Sequence, residues 1–175
     1  ANVYLPRLEE VFQRFGDNIL YNIEIKADAD APRQETADAV IALIESFGLV
    51  DHVLLATAFD DISEYIIDEY PDIHLSMSYG SAIDSVVNMY TLTTIFRAKP
   101  RFAAMQVPLS YDLPVIGNFN VNRWMIFHTH NQQNIAMHFW TINDEDTMRH
   151  LIEQGADGII TDYPELLMSI IEEYQ

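Results

Sequence analysis

Glu24 and Lys26 stand two residues apart in the run Tyr21-Asn22-Ile23-Glu24-Ile25-Lys26. They pair a carboxylate able to ligate a hard divalent cation with an ammonium able to hold a phosphate oxygen. Alternation places Tyr21, Ile23 and Ile25 on one face of a strand and Asn22, Glu24 and Lys26 on the other. A polar strand face ordinarily meets water. In a chain that alternates helices and strands, however, the sheet is parallel and covered on both faces, so this face points into protein or into a site. Opposite charges about 6–7 Å apart along such a strand are costly unless paired or bound. For Glu24 the alternative to a metal ligand is a structural ion pair with Lys26 or an arginine. For Lys26 it is a lysine whose stem lies along the rim and whose head reaches water.

Other groups are weighed the same way. In parallel α/β architectures functional side chains belong at the carboxyl ends of strands. The predicted ends hold Glu24 and Lys26, residues 57–60, Ser76 and Ser78, Gln106, residues 140–143, and Thr161 with Asp162. Trp140 at such an end reads either as an apolar wall for a substrate or as a rim aromatic. His128-Thr129-His130 resembles a metal pair, but near a helix end side chains at i and i+2 point apart, and solvent-facing histidines are the better reading. His138 falls inside a strand, and His52, His74 and His150 fall near element ends with no carboxylate or serine spaced as a triad. Asp144-Glu145-Asp146 reads as the first turn of a helix, complementing its dipole. There is no glycine-rich phosphate loop to support a nucleotide cofactor.

The elements that position these groups follow from periodicity. Residues 6–15 read as a helix opened by Pro6 and stopped by Gly16, followed by the 21–26 strand and a helix over 32–47 closed by Gly48. A strand at 53–58 follows, then a helix to Tyr70 with Asp61 and Glu64 as its capping pair, and a strand at 73–78. Residues 82–95 read as a helix carrying Ile83, Val86, Val87 and Tyr90, and 102–107 as a strand. The 108–118 segment, with two prolines and a glycine, reads as the longest loop. Asn120 then caps a helix bearing Val121, Trp124 and Met125, a strand spans 135–142, and Asn143 or Asp144 caps a helix ended by Gly155. A last strand at 156–161 and a helix opened by Pro164 complete one helix followed by six strand-helix units. With no linker, charge block or low-complexity tract, residues 1–175 read as a single domain. Two architectures fit: an open doubly wound sheet, or a (β/α)8 barrel lacking two strands, since an ordinary barrel needs about 250 residues.

Composition narrows the partners. A hydrophobic content of 49% supports a packed core, while 9 Lys plus Arg against 27 Asp plus Glu gives a net charge of −18. That charge repels nucleic acid and anionic membrane surfaces, so an anionic substrate requires a local cation. Without cysteine there is no disulfide, thiolate or cysteine-zinc chemistry. No apolar run reaches the roughly 18 residues of a membrane span, and no signal pattern opens the chain. The expectation is a soluble protein with its compartment open, the cytoplasm favoured.

Two stretches resemble the glycerophosphodiester phosphodiesterase family. The first is Leu5-Pro6-Arg7-Leu8-Glu9-Glu10-Val11-Phe12 leading into Asn22-Ile23-Glu24-Ile25-Lys26. The second is Phe139-Trp140-Thr141-Ile142-Asn143-Asp144, then 151–158 and Ile159-Ile160-Thr161-Asp162-Tyr163-Pro164. Between them, Ala58-Phe59-Asp60 and Gln106-Val107-Pro108 stand where the family has similar strand ends, so the likeness runs through the whole chain. The resemblance implies a TIM-type barrel that hydrolyses glycerophosphodiesters to an alcohol and glycerol 3-phosphate with Mg2+ or Ca2+. It implies Glu24 as a third carboxylate ligand of that metal and Lys26 beside the phosphate. Phe59 and Trp140 line the glycerol and leaving-group side, and Gln106 joins the substrate-binding positions.

The chain also departs from the family pattern. The family's His-Arg-Gly strand, Glu-x-Asp strand and second catalytic histidine do not occur in these 175 residues. The expectation is therefore an incomplete barrel of about six of eight β/α units, inactive by itself. Its partner is either the missing N-terminal segment or a second copy of the chain. A noncatalytic phosphate- or polyol-binding scaffold is the alternative, and a different phosphate-binding α/β enzyme on an open sheet is a third reading.

Overall fold

The computed structural model describes residues 4–26, 32–90, 101–113, 117–120 and 123–174. The chain falls into two compact units, Ala1–Ser81 and Ala82–Gln175. Each contains a three-stranded parallel sheet among its described residues.

In the first unit α1 (Leu8–Phe15) leads into β1 (Tyr21–Glu24). The link is aromatic. Phe12, 1% exposed, meets Tyr21 and Phe47 edge-on at 5.0 and 5.6 Å, and the Tyr21 hydroxyl donates to the Gly16 carbonyl at 2.6 Å. α2 (Arg33–Ser46) buries Ala37, Ile41 and Ile44 at helical spacing. Each buried isoleucine contributes about 1.5–3 kcal/mol. β2 (Val53–Ala56), α3 (Asp60–Glu69) and β3 (His74–Leu75) follow. Strand order is β1-β2-β3, with Tyr21 opposite Val53, Glu24 opposite Ala56 and Leu55 opposite Leu75. The hydroxyls of Tyr65 and Tyr70 both donate to Asp38 Oδ1 at 2.8 Å and bind α3 to α2.

The first unit alters two expectations. Asp61 and Glu64 do not cap α3. Its N-cap is Phe59, whose N–H donates to Thr57 Oγ1, so the helix begins two residues earlier and both Asp60 and Asp61 lie in its first turn. The 73–78 strand shrinks to two residues, although the Ser76 N–H still donates to the Leu55 carbonyl.

α4 (Tyr79–Tyr90) crosses the unit boundary in sequence, and the predicted residues 91–95 lie outside the described residues. Val86 and Met89 form its buried face, whereas Val87 is exposed. The second sheet has the order β4-β7-β8, built from β4 (Ala104–Val107), β7 (Ala136–Phe139) and β8 (Gly158–Ile159). Between β4 and α5 (Arg123–His128) stands an antiparallel hairpin, β5 (Ser110–Leu113) paired with β6 (Gly117–Asn120). Within the expected 108–118 loop, residues 110–113 and 117–118 are thus strand, and residues 114–116 lie outside the described residues. Pro108 precedes the hairpin and Gly117 opens its second strand, so both breakers sit where a hairpin tolerates them. Asn120 accordingly ends a strand opposite Ser110 instead of capping a helix, and Val121 lies outside the described residues.

α5 runs into a π-helical turn, Thr129–Gln133, before β7. Asp144 caps α6 (Glu145–Gln154) by accepting from the Thr147 N–H at 2.9 Å, and Gly155 ends it at φ 86°, a left-handed geometry that glycine adopts without a Cβ penalty. α7 (Pro164–Glu172) closes the described chain and packs on α6. Arg149 of α6 holds Glu173 through two bonds of 2.8 Å.

Candidate functional site

In each unit the sheet brings its candidate residues to the carboxyl edge of parallel strands, where successive β-α turns leave side chains free of ladder duty. In the first unit that edge carries Glu24, Lys26 and Phe59. The Ile25 N–H donates to the Ala56 carbonyl, which continues the β1–β2 register past Glu24. Ile25, 4% exposed, turns into the core, and Glu24 and Lys26 turn out. Lys26 Nζ lies 3.2 Å from Glu24 Oε2, with the two side chains 77% and 47% exposed. The contact formed is therefore the intrastrand ion pair, and in this exposed position it is worth at most about 1 kcal/mol. Such a pair opens cheaply to a ligand.

One carboxylate does not make a divalent-cation site, because Mg2+ and Ca2+ need several oxygen ligands. Among the described residues no three His, Asp or Glu side chains converge as a metal-holding group. The described residues therefore do not by themselves fit the metal.

Phe59 is half-buried, and the Arg33 guanidinium lies 3.8 Å from its ring centroid. One face of the expected substrate wall is thus already covered. On the neighbouring strands Thr57, Ser76 and Ser78 are buried. Ser78 Oγ donates to Ser81 Oγ at 3.0 Å, while Ser76 Oγ has no hydrogen-bond partner among the described residues. Gly80 comes so close to Asp60 that a Cβ there would collide with the carboxylate, and its N–H donates to Asp60 Oδ1.

In the second unit Gln106 lies opposite His138, and His138 opposite Gly158. Gln106 Nε2 and His138 Nδ1 are 3.4 Å apart. Burial pushes the His138 imidazole below its usual range, and the negative charge of Asp157 offsets part of that shift. A neutral ring at pH 7 follows. Gly158 leaves the room this ring needs, since a Cβ would stand 2.6 Å from His138 Cδ2. Trp140, 43% exposed, emerges just past β7, where its N–H donates to the Val107 carbonyl. Asn143 ties that turn to the next one. Its Nδ2 donates to Asp162 Oδ2 at 2.9 Å, and its Oδ1 accepts from the Thr161 hydroxyl and the Asp162 N–H.

His128 and His130 have separate partners. His128 stacks on Trp124 at 5.3 Å, and His130 Nδ1 lies 2.9 Å from Asp157 Oδ1, so the two rings do not converge. His128 is therefore not simply solvent-facing, because the preceding helical turn supplies an indole for it to cover. Asp144 acts as the helix cap. Hydrogen bonds from Thr147 hold its carboxyl below the ordinary carboxylate range.

Sequence reasoning missed Arg33 and Asp157. The first had a legible signal, a cation opening a helix directly after a candidate strand. The second had none, because its partners are the Met137 N–H and His130, both remote in sequence.

A model of the glycerophosphoryl diester phosphodiesterase family matches residues 1–166. The glycerophosphodiester phosphodiesterase of Bacillus subtilis is 26% identical over 180 residues, covering 97% of this chain and 55% of the relative. That of Caldanaerobacter subterraneus is 23% identical over 189 residues, covering 99% of this chain and 64% of its own. Among solved structures, a glycerophosphodiester phosphodiesterase from Parabacteroides distasonis superposes with a TM-score of 0.63 at 17% identity, over 97% of this chain and 65% of that one. An Oleispira antarctica phosphodiesterase in complex with the product sn-glycerol-3-phosphate gives a TM-score of 0.63 at 17% identity, over 93% and 58%. The chain shares the α/β fold of these proteins and spans roughly half to two thirds of their lengths.

Proposed function

Because the chain belongs to the glycerophosphoryl diester phosphodiesterase family, we propose that it is part of an enzyme hydrolysing glycerophosphodiesters to an alcohol and glycerol 3-phosphate. In this reading residues 1–175 form the C-terminal part of one TIM-type barrel domain, about six of its eight β/α units. The observation that carries the reading is the Glu24–Lys26 pair, set at the carboxyl end of β1 with an ion pair weak enough to exchange for a ligand. Lys26 places a fixed positive charge on a phosphate oxygen, which meets the need that a net charge of −18 creates. Glu24 is the one carboxylate this edge would offer to a Mg2+ or Ca2+ ion, and such an ion, when bound, would neutralise nonbridging phosphate oxygens. By the family resemblance, Phe59, Trp140 and Gln106 are the positions proposed for the glycerol and the leaving alcohol.

The 175-residue chain alone is expected to bind glycerol 3-phosphate weakly without hydrolysing glycerophosphocholine, since it supplies no acid/base histidine pair. Calorimetric titration of glycerol 3-phosphate, with and without Mg2+ or Ca2+, tests this alongside a choline-release assay. Binding should vanish in Lys26→Ala, and any strengthening by the cation should vanish in Glu24→Gln. Metal-dependent release of choline would overturn the expected inactivity. The self-contained ion pair also supports a second reading, a noncatalytic phosphate- or polyol-binding scaffold. That reading expects binding indifferent to the cation.

A further inference from the structure

Arg33 opens α2, at the N-terminal end of its helix dipole, where a cation is electrostatically disfavoured. The first turns of α1, α3, α6 and α7 carry acidic residues, and α2 itself has Glu35 there; an arginine opens only α2 and the short α5 (Arg123) among the described helices. A residue that breaks a local rule in this way calls for a compensating contact. Two contacts are present. The guanidinium carbon lies 3.8 Å from the Phe59 ring centroid, and Nη1 lies 3.6 Å from Asp61 Oδ2.

Neither contact uses the donors well. A guanidinium stacked on an aromatic ring is held by its face and keeps its fork of N–H groups for other acceptors. The distance to Asp61 exceeds the about 2.7–2.9 Å of a well-made charge-assisted bond, and the Asp61 side chain is 68% exposed. Nε is buried and has no hydrogen-bond partner among the described residues. The arginine side chain itself is only 26% exposed, so it is held in place with donors to spare.

Its position matches that chemistry. α2 begins on the carboxyl side of β1, and Phe59 follows the carboxyl end of β2. Extending the register of Glu24 with Ala56 puts Lys26 level with Ala58, one residue before Phe59. Lys26 and the Phe59-bound Arg33 therefore belong to the same edge of the same sheet.

We infer that Arg33 is a second anion-binding residue of this edge, receiving a phosphoryl oxyanion while stacked on Phe59, with Asp61 as the acceptor that holds its fork until the ligand arrives. The inference rests on the reading of Lys26 as a phosphate contact. It adds a residue that none of the motif positions includes.

The test titrates sn-glycerol 3-phosphate and, separately, inorganic phosphate into the full 175-residue chain and into Arg33→Met, Arg33→Lys, Asp61→Asn and Lys26→Ala, with urea midpoints measured in parallel. Arg33→Met should weaken both ligands about tenfold, and Arg33→Lys should weaken them less, because it keeps charge and loses the fork. Asp61→Asn should tighten both by about threefold, because it removes the competing carboxylate. A purely structural tie between α2 and α3 predicts the reverse for Asp61→Asn, a lower urea midpoint with no tighter binding. If Arg33→Met does not fold, the Asp61→Asn titration decides. Binding abolished by Lys26→Ala but unchanged by the Arg33 and Asp61 variants would overturn this inference and leave the Lys26 reading standing. No binding by the unmodified chain would overturn both. A loss confined to glycerol 3-phosphate would overturn the assignment to an oxyanion.

Discussion

Glu24 and Lys26 hold each other at 3.2 Å on an exposed strand end, so what they contribute to folding and what they offer a ligand separate cleanly. Replacing Lys26 by alanine should change the stability by about 0.5 kcal/mol or less. Urea denaturation checks this, and a much larger loss would show that the pair holds the strand end in place. The polar alternation and the charges of this pair were legible in the sequence because strand periodicity is a local property. The competition between partners was not. Whether Glu24 meets Lys26, an arginine or a metal depends on neighbours brought in by other segments. The same holds for Phe59, whose place at a strand end was readable while the guanidinium over its ring was not.

At the scale of elements, the tie between α2 and α3 carries a signature in alkaline solution. Tyr65 and Tyr70 both donate to Asp38, and each phenol is raised above its ordinary pKa of 10.0, first through that hydrogen bond and then through burial. A folded-state pKa above the unfolded value means the contribution is complete below pH 10 and is lost as pH rises through the folded-state pKa. The urea midpoint of the native chain should therefore fall more steeply above pH 10 than that of Asp38→Asn. Parallel profiles would show that the two phenols do not share this carboxylate. Helices with a clear apolar stripe and a glycine or proline boundary, such as α2, α6 and α7, were readable nearly to the residue. The β5–β6 hairpin was not. Two prolines and a glycine are loop signals by composition, and only the ladder from Ser110 opposite Asn120 to Leu113 opposite Gly117 shows Gly117 opening a strand and Pro108 standing just before one.

For the molecule as a whole, 27 acidic residues against 9 basic ones set up a self-repulsion that a compact state must bear. Raising NaCl from about 10 mM to about 150 mM shortens the screening length from about 30 Å to about 8 Å. The thermal midpoint should rise over that range, as differential scanning fluorimetry would show. A midpoint that falls would mean that attractive pairs, such as Arg149 with Glu145 and Glu173, outweigh the net charge.

The alternation of helices and strands, the family and the residues at strand ends can be read along the chain, because periodicity, caps and motif order are local. Which of those residues meet is settled by the packing of distant segments. Glu24 closes on Lys26, Phe59 lies under Arg33, Gln106 reaches His138, and Asn143 locks Thr161 and Asp162. Those choices depend on strand register and on helix starts set by contacts between segments tens of residues apart. No local pattern carries that information.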